Sequence, residues 1–237
     1  MIEYWELEVT TKDLQVTTLV DILKKAGAQV RQEGDSLFLI HPFVGAELAH
    51  KLAFERAARL VLALNFLIRR LHGRNSKIHL SDVVGFSADG TKQFLATARD
   101  GVAFNARLTA EVRSADGELV MPPELPTEEW ARLLLGDASI SLVSELLSRQ
   151  PLGWNDLYRS LEIIADDVGG LHKITSLGWA TKESLRRFKR TANSPSAIGL
   201  DARHGVDQGE PPSSPMILSE AVALLETIVY QWMWSKT

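Results

Sequence analysis

Pro122-Pro123-Glu124-Leu125-Pro126-Thr127-Glu128-Glu129-Trp130 decides how this chain is divided. Pro122, Pro123 and Pro126 fall within five residues. Each fixes its own φ and lacks a backbone donor, so the segment suits neither a helix interior nor a central strand. Immediately after it, Thr127 is placed to cap a helix, and Glu128 and Glu129 complement the positive end of that helix. The prolines therefore mark a boundary between an α+β domain, residues 1–121, and an all-α helical bundle, residues 127–237.

Upstream the hydrophobic period changes repeatedly. Trp5, Leu7 and Val9 alternate with Tyr4, Glu6, Glu8 and Thr10, the pattern of a strand with one wet face. Leu19, Ile22, Leu23 and Ala26 form a helical stripe that Gly27 ends. Ser36–Ile40 reads as a strand, with its turn at Gln32–Asp35. The residues from Ala46 to Leu71 keep a three-four rhythm and predict a long helix that runs through the core or under a sheet. Lys77–Phe86 predicts another strand. Val102, Phe104, Ala106, Leu108, Ala110 and Val112 alternate again, and Asp116-Gly117 predicts a hairpin back into Leu119–Met121. An antiparallel sheet with a packed helix is the expected result.

Downstream no strand pattern stands out. Glu128–Leu135, Ile140–Arg149, Asn155–Val168, Thr181–Ala192 and Ser219–Ser235 are predicted helices. The connection from Asn193 to Pro215 is longer than passive connections usually are. Of the paired tryptophans, Trp232 and Trp234 are two residues apart and cannot share a helix face. One is expected in the core and the other exposed as a dimer or partner contact.

Bulk composition excludes several classes. The 237 residues are 45% hydrophobic and 24% charged, with a net charge of -4, so only a local basic patch would serve nucleic acid. There is no cysteine, which excludes disulfides, thiolate chemistry and Cys-ligated zinc. The acidic, alternating start does not read as a signal peptide, and the apolar region near 52–68 is broken by Glu55, Arg56, Arg59 and Asn65. A soluble, cytoplasmic protein without a membrane partner is expected. His41, His50, His72 and His79 are scattered and His172 is expected in a loop. No metal site, phosphate loop, dinucleotide fingerprint or esterase elbow is present, and no cofactor is implied.

The richest polar chemistry lies in LRRFKRTANSPSAIGLDARHG, Leu185–Gly205. Lys182, Arg186, Arg187, Lys189 and Arg190 spread over a predicted helix whose inward face is Leu185, Phe188 and Ala192. They are candidate nucleic-acid-binding residues. They equally suit a solvated face, or one paired with the acidic helix of Asp156, Glu162, Asp166 and Asp167. Asn193 is a candidate catalytic amide or a helix C-cap. His204, with Arg203 and Arg190, is the catalytic candidate. The imidazole moves a proton near neutral pH and the guanidinium groups offset charge on phosphorus. A histidine that only fastens the loop is the alternative.

Arg186 to Gly205, followed by PMILSEAVALLETIVYQWMWSK, resembles the C-terminal part of bacterial and phage proteins, and the helical half with its late basic and His-Gly element is similar to the HEPN superfamily. The likeness covers roughly residues 130–237. It implies a helical bundle, and in many members a metal-independent ribonuclease of toxin, defence or CRISPR systems, commonly dimeric so that two motifs meet. Other members are non-catalytic binding modules. The family pattern is arginine, four to six residues, then histidine. His204 and Gly205 match its end, while the arginine positions hold Ala197, Ile198 and Gly199. Two expectations follow. One is an RNA-cleaving, antiviral-type nuclease with His204 as general acid or base. The other is a HEPN-like interaction or nucleic-acid-binding subunit of a larger complex.

Overall fold

The computed structural model describes residues 1–46, 48–72, 76–95, 126–149, 151–207 and 209–237. The strand and hairpin expected between 102 and 121 lie outside the described residues, as do Pro122 and Pro123. The described chain forms two compact units: residues 1–95 together with Pro126–Asp137, and Ala138–Thr237.

In the first unit the order is β1 (Ile2–Thr11), α1 (Val16–Lys25), β2 (Gln29–Glu33), β3 (Ser36–Ile40), α2 (His50–His72), β4 (Ile78–Ser87), β5 (Lys92–Leu95) and α3 (Thr127–Gly136). The strands form one sheet in the order β2-β3-β1-β4-β5, every neighbouring pair antiparallel. Up to β4 this is the split β-α-β arrangement of ferredoxin-like sheets, extended at one edge by β5. The predicted alternation of β1 holds. Trp5, Leu7 and Val9 are fully buried, and Leu37, Leu39 and Val83 join them on the same face. Helix α1 buries Leu19, Ile22 and Leu23. It ends where Gly27 turns left-handed at φ 94°, a conformation costly for any residue with a Cβ.

Four local expectations shift. Half of the turn expected at Gln32–Asp35 is strand: β2 occupies Gln29–Glu33 and Gly34-Asp35 turn. A short polar edge strand has too little apolar alternation to announce itself. The long helix starts at His50 rather than Ala46, and Leu52, expected on its apolar stripe, is half exposed. Thr127 is the first residue of α3 and its side chain makes no cap; Pro126 precedes it as the N-cap. Finally, α3 packs on α2 and α1, so this helix goes with the first unit although it follows the proline cluster.

Asn65, which looked like an interruption in the apolar run of α2, is a clamp. Its Nδ2 donates to the Ile78 carbonyl at 2.9 Å and its Oδ1 accepts from the Ile78 N–H at 2.7 Å, tying α2 to the start of β4. Replacing it with leucine strands two buried backbone groups. The expected cost is about 2–4 kcal/mol, read by urea denaturation.

His41 closes the turn after β3. The Phe43 N–H donates to Nδ1 at 3.0 Å, so Nε2 carries the proton and donates to the Ala26 carbonyl at 2.9 Å. Burial pushes this imidazole below its ordinary value of 6.5. The unfolded chain therefore takes up the proton at a higher pH than the folded chain. The stability held by neutral His41 is full above pH 6.5 and falls as the pH drops below it. His79, with its imidazole lowered by burial and by Lys77 and Lys12, acts in the same sense. The midpoint of thermal unfolding should decline on the acid side of neutrality, and less steeply in His41→Gln.

The second unit contains α4 (Ala138–Ser148), α5 (Trp154–Val168), α6 (Leu171–Ser176), α7 (Lys182–Ala192), α8 (Pro195–Ile198), a 3-10 turn (Gly199–Asp201) and α9 (Leu218–Trp234). The five long helices predicted downstream of the prolines are all present, four of them here. The surprise is α6, which places His172 on a helix; six residues are too few to show a period. Helix α5 packs on α4, α6, α7 and α9 and is the centre of the unit. Gly169 ends it in the left-handed conformation at φ 87°. Trp232 is fully buried and Trp234 is exposed, as their spacing required. No described helix is long and apolar enough to cross a membrane.

Candidate functional site

Helix α7 begins at Thr181, whose Oγ1 accepts from the Ser184 N–H at 3.0 Å. Leu185, Phe188, Thr191 and Ala192 are buried, and Phe188 lies against Trp154 and Tyr158 of α5. The basic residues therefore emerge on the remaining sides of the helix and go to different places.

One side of α7 holds down the segment that returns to α9. Arg187 donates to the Ser214 and Pro215 carbonyls at 2.9 and 3.0 Å and to Glu220 Oε2 at 2.9 Å. Arg190 donates to the carbonyls of Glu210 and Pro211. Fully buried Thr191 receives the Met216 N–H at 3.0 Å, and Met216 itself is buried. Glu220 also accepts from the Ile217 N–H at 3.2 Å and so starts α9. A proline-rich segment supplies few donors of its own, and its carbonyls face outward from no regular ladder. The two guanidinium groups satisfy them.

The loop between α7 and this segment is fastened in the same way. The Ser194 hydroxyl donates to Asp207, and the Ser196 N–H reaches the same carboxylate at 3.5 Å. The Ser194 bond holds the Asp207 carboxyl below the usual carboxylate range. The Arg203 N–H donates to the Ala192 carbonyl at 2.9 Å. The Arg203 guanidinium lies 4.4 Å from the Tyr158 ring centroid and pairs with Glu162 at 3.0 Å.

That last contact borders a cleft of about 430 Å³ between α5, α6 and α7. It is lined by the apolar Tyr158, Leu161, Ala165 and Leu171, by Gly169 and Gly170, and by the charged Glu162, Asp166 and Lys189. Among the expected site residues, only Lys189 is among those lining it; Arg203 reaches its edge through Glu162 and Tyr158. Arg187 and Arg190 serve the returning segment. Arg186 faces Glu183 of its own helix at 3.5 Å, and Lys182 is exposed. Asn193 is the residue that caps α7, and its Oδ1 is buried with no hydrogen-bond partner among the described residues. His204 is half-buried, lines none of this cleft, and its ring has no hydrogen-bonding or ionic partner among the described residues. No described group of three or more His, Asp or Glu could hold a metal ion.

Two further acidic residues of α5 are committed to the chain's own groups. Asp156 accepts from Arg149 at 3.1 Å and from the Gly153 N–H at 3.3 Å. Asp167 accepts from Trp232 Nε1 at 2.7 Å and pairs with Lys236 at 2.9 Å, anchoring the end of α9. Among the described residues the basic side chains of α7 form no ion pair with these carboxylates; Asp156, Glu162 and Asp167 pair instead with Arg149, Arg203 and Lys236.

Comparison with known proteins adds no relative: no family model, curated protein or solved structure matches this chain.

Arg187→Ala removes three hydrogen bonds, two to carbonyls of the returning segment and one to Glu220 of α9. Proteolysis within residues 209–217 should accelerate several-fold. Because these bonds are partly exposed, the loss of global stability should be about 1 kcal/mol.

Proposed function

We propose that this protein is a non-catalytic interaction subunit whose helical unit serves as a HEPN-like scaffold within a larger complex. The observation that supports the reading is where the guanidinium groups go. Arg187, Arg190 and Arg203 each spend their donors on the chain's own carbonyls or carboxylates. A phosphodiester would have to compete with those bonds. The cleft that remains carries Glu162 and Asp166 against Lys189, with Arg203 already neutralising Glu162. Two carboxylates at its wall make it a poor seat for a phosphate. The exposed Trp234 at the end of α9 suits a protein contact, either a second copy or another subunit.

A metal-independent ribonuclease of a bacterial or phage defence system is the second reading. One observation favours it: the His204 imidazole is free of partners among the described residues and follows Arg203 directly. Labelled single-stranded RNA incubated with the full chain in EDTA separates the two. The interaction reading expects no cleavage above that of His204→Ala. Cleavage that falls by about 10²–10⁴-fold in His204→Ala would instead make His204 an acid–base catalyst.

A further inference from the structure

The outer face of the sheet in the first unit is unlike an ordinary wet face. With Trp5, Leu7, Val9, Leu37, Leu39 and Val83 turned inward, the strand period sends Tyr4, Glu6 and Glu8 of β1, Phe38 and Ile40 of β3, and Asp82, Val84 and Phe86 of β4 outward. The registers set them in rows. Tyr4 faces Phe86 and the two rings stack at 4.8 Å; Val84 faces Phe94, which is 70% exposed. Phe38 faces Glu8, and Glu8 faces Asp82. Four aromatic rings therefore occupy one sheet face.

Two features of this face point to a cation as its complement. First, Glu8 and Asp82 are directly opposed across β1 and β4, an arrangement that destabilises a sheet when nothing compensates it. Glu8 accepts a hydrogen bond from the neutral Ser36 hydroxyl at 2.6 Å, and neither carboxylate has an ion-pair partner among the described residues. Second, the rings already carry cations wherever the chain supplies them. Arg31 lies 4.4 Å from the Phe38 centroid while paired with Glu6, and Lys92 lies 5.2 Å from that of Phe86. Phe94 is the exposed ring without such a cap among the described residues, and it lies diagonally across the strand pair from Asp82, two residues along from its own partner Val84.

We infer that this face docks an arginine- or lysine-bearing extended segment of a partner protein, its cation lying between the Glu8 and Asp82 carboxylates and its stem against Phe94. Aromatic rings on a sheet of this topology also suit base stacking with single-stranded nucleic acid. The uncompensated carboxylates near the middle of the face weigh against that occupant, because a phosphate backbone would meet them first.

The test uses the full chain and a fluorescein-labelled synthetic peptide of alternating arginine and alanine, followed by anisotropy. Parallel arms carry the glutamate counterpart of the peptide and oligouridylate. The docking face predicts binding of the arginine peptide alone. Combined Glu8→Gln and Asp82→Asn should weaken it by about tenfold, and Phe94→Ala by about threefold. The same double variant should unfold at a higher temperature than the parent, since it relieves a like-charge pair; this also shows that the weakened binding is not misfolding. Removing two charges elsewhere, with Glu129→Gln and Glu183→Gln, should leave the affinity within about twofold. Equal loss in that control, no loss in Glu8→Gln/Asp82→Asn, or no peptide binding overturns the inference. Oligouridylate binding that strengthens in Glu8→Gln/Asp82→Asn overturns it in favour of a nucleic-acid platform.

Discussion

The two-residue period of Trp5, Leu7 and Val9 in β1 is the constraint on which the first unit depends. Trp5, Leu7 and Val9 have no exposed surface, so a slip of one residue would carry three large apolar side chains into water and Tyr4, Glu6 and Glu8 into the core. β1 is central in the sheet and pairs on both sides, with β3 and β4, so its register sets theirs. The packing of α2 beneath, the Asn65 clamp on Ile78 and the juxtaposition of Glu8 with Asp82 all follow from that one alignment. Gly85 shows how tight it is. A Cβ there would come within 2.8 Å of the Trp5 ring.

The helical unit solves a different problem. Its long connection from Asn193 to Ile217 is rich in proline and glycine and cannot satisfy its own carbonyls in a regular ladder. The chain answers with side chains. Arg187, Arg190 and Thr191, spaced along one helix, reach Glu210, Pro211, Ser214, Pro215 and Met216. Arg203 and Asp207 fix the first part of the same connection. Two of the five basic residues that read as a phosphate-binding patch, Arg187 and Arg190, are thereby an internal fastening. The His204 ring and the Asn193 Oδ1, which have no hydrogen-bond partner among the described residues, lie close in sequence to that fastening.

The elements that could be read from the sequence are those with a long enough period. α1, α5, α7 and α9 show helical stripes over ten residues or more, and β1 alternates in its middle, where Trp5, Leu7 and Val9 turn inward. β2 and α6 were missed because five and six residues, largely polar, give no periodicity to count. The candidate site was legible only as an inventory. Lys189, Arg203 and His204 were identified by residue type. The cleft between α5, α6 and α7 was not foreseen, since Tyr158, Leu161 and Ala165 read as ordinary core positions of an amphipathic helix.

The sequence by itself determined the succession of an α+β region and a helical bundle, the inward faces of the strands and helices, and the absence of any cysteine chemistry. Hydrophobic period and composition are local properties, and they survive being read one residue at a time. Only the tertiary structure decided the fate of the polar groups. Whether Arg187 meets a carbonyl or a solvent-facing anion, whether Asn65 interrupts a helix or ties it to a strand, and whether α3 packs with what precedes it all depend on residues distant in sequence. Hydrogen bonds and ion pairs are short-ranged and directional, so their partners exist only once the chain has folded.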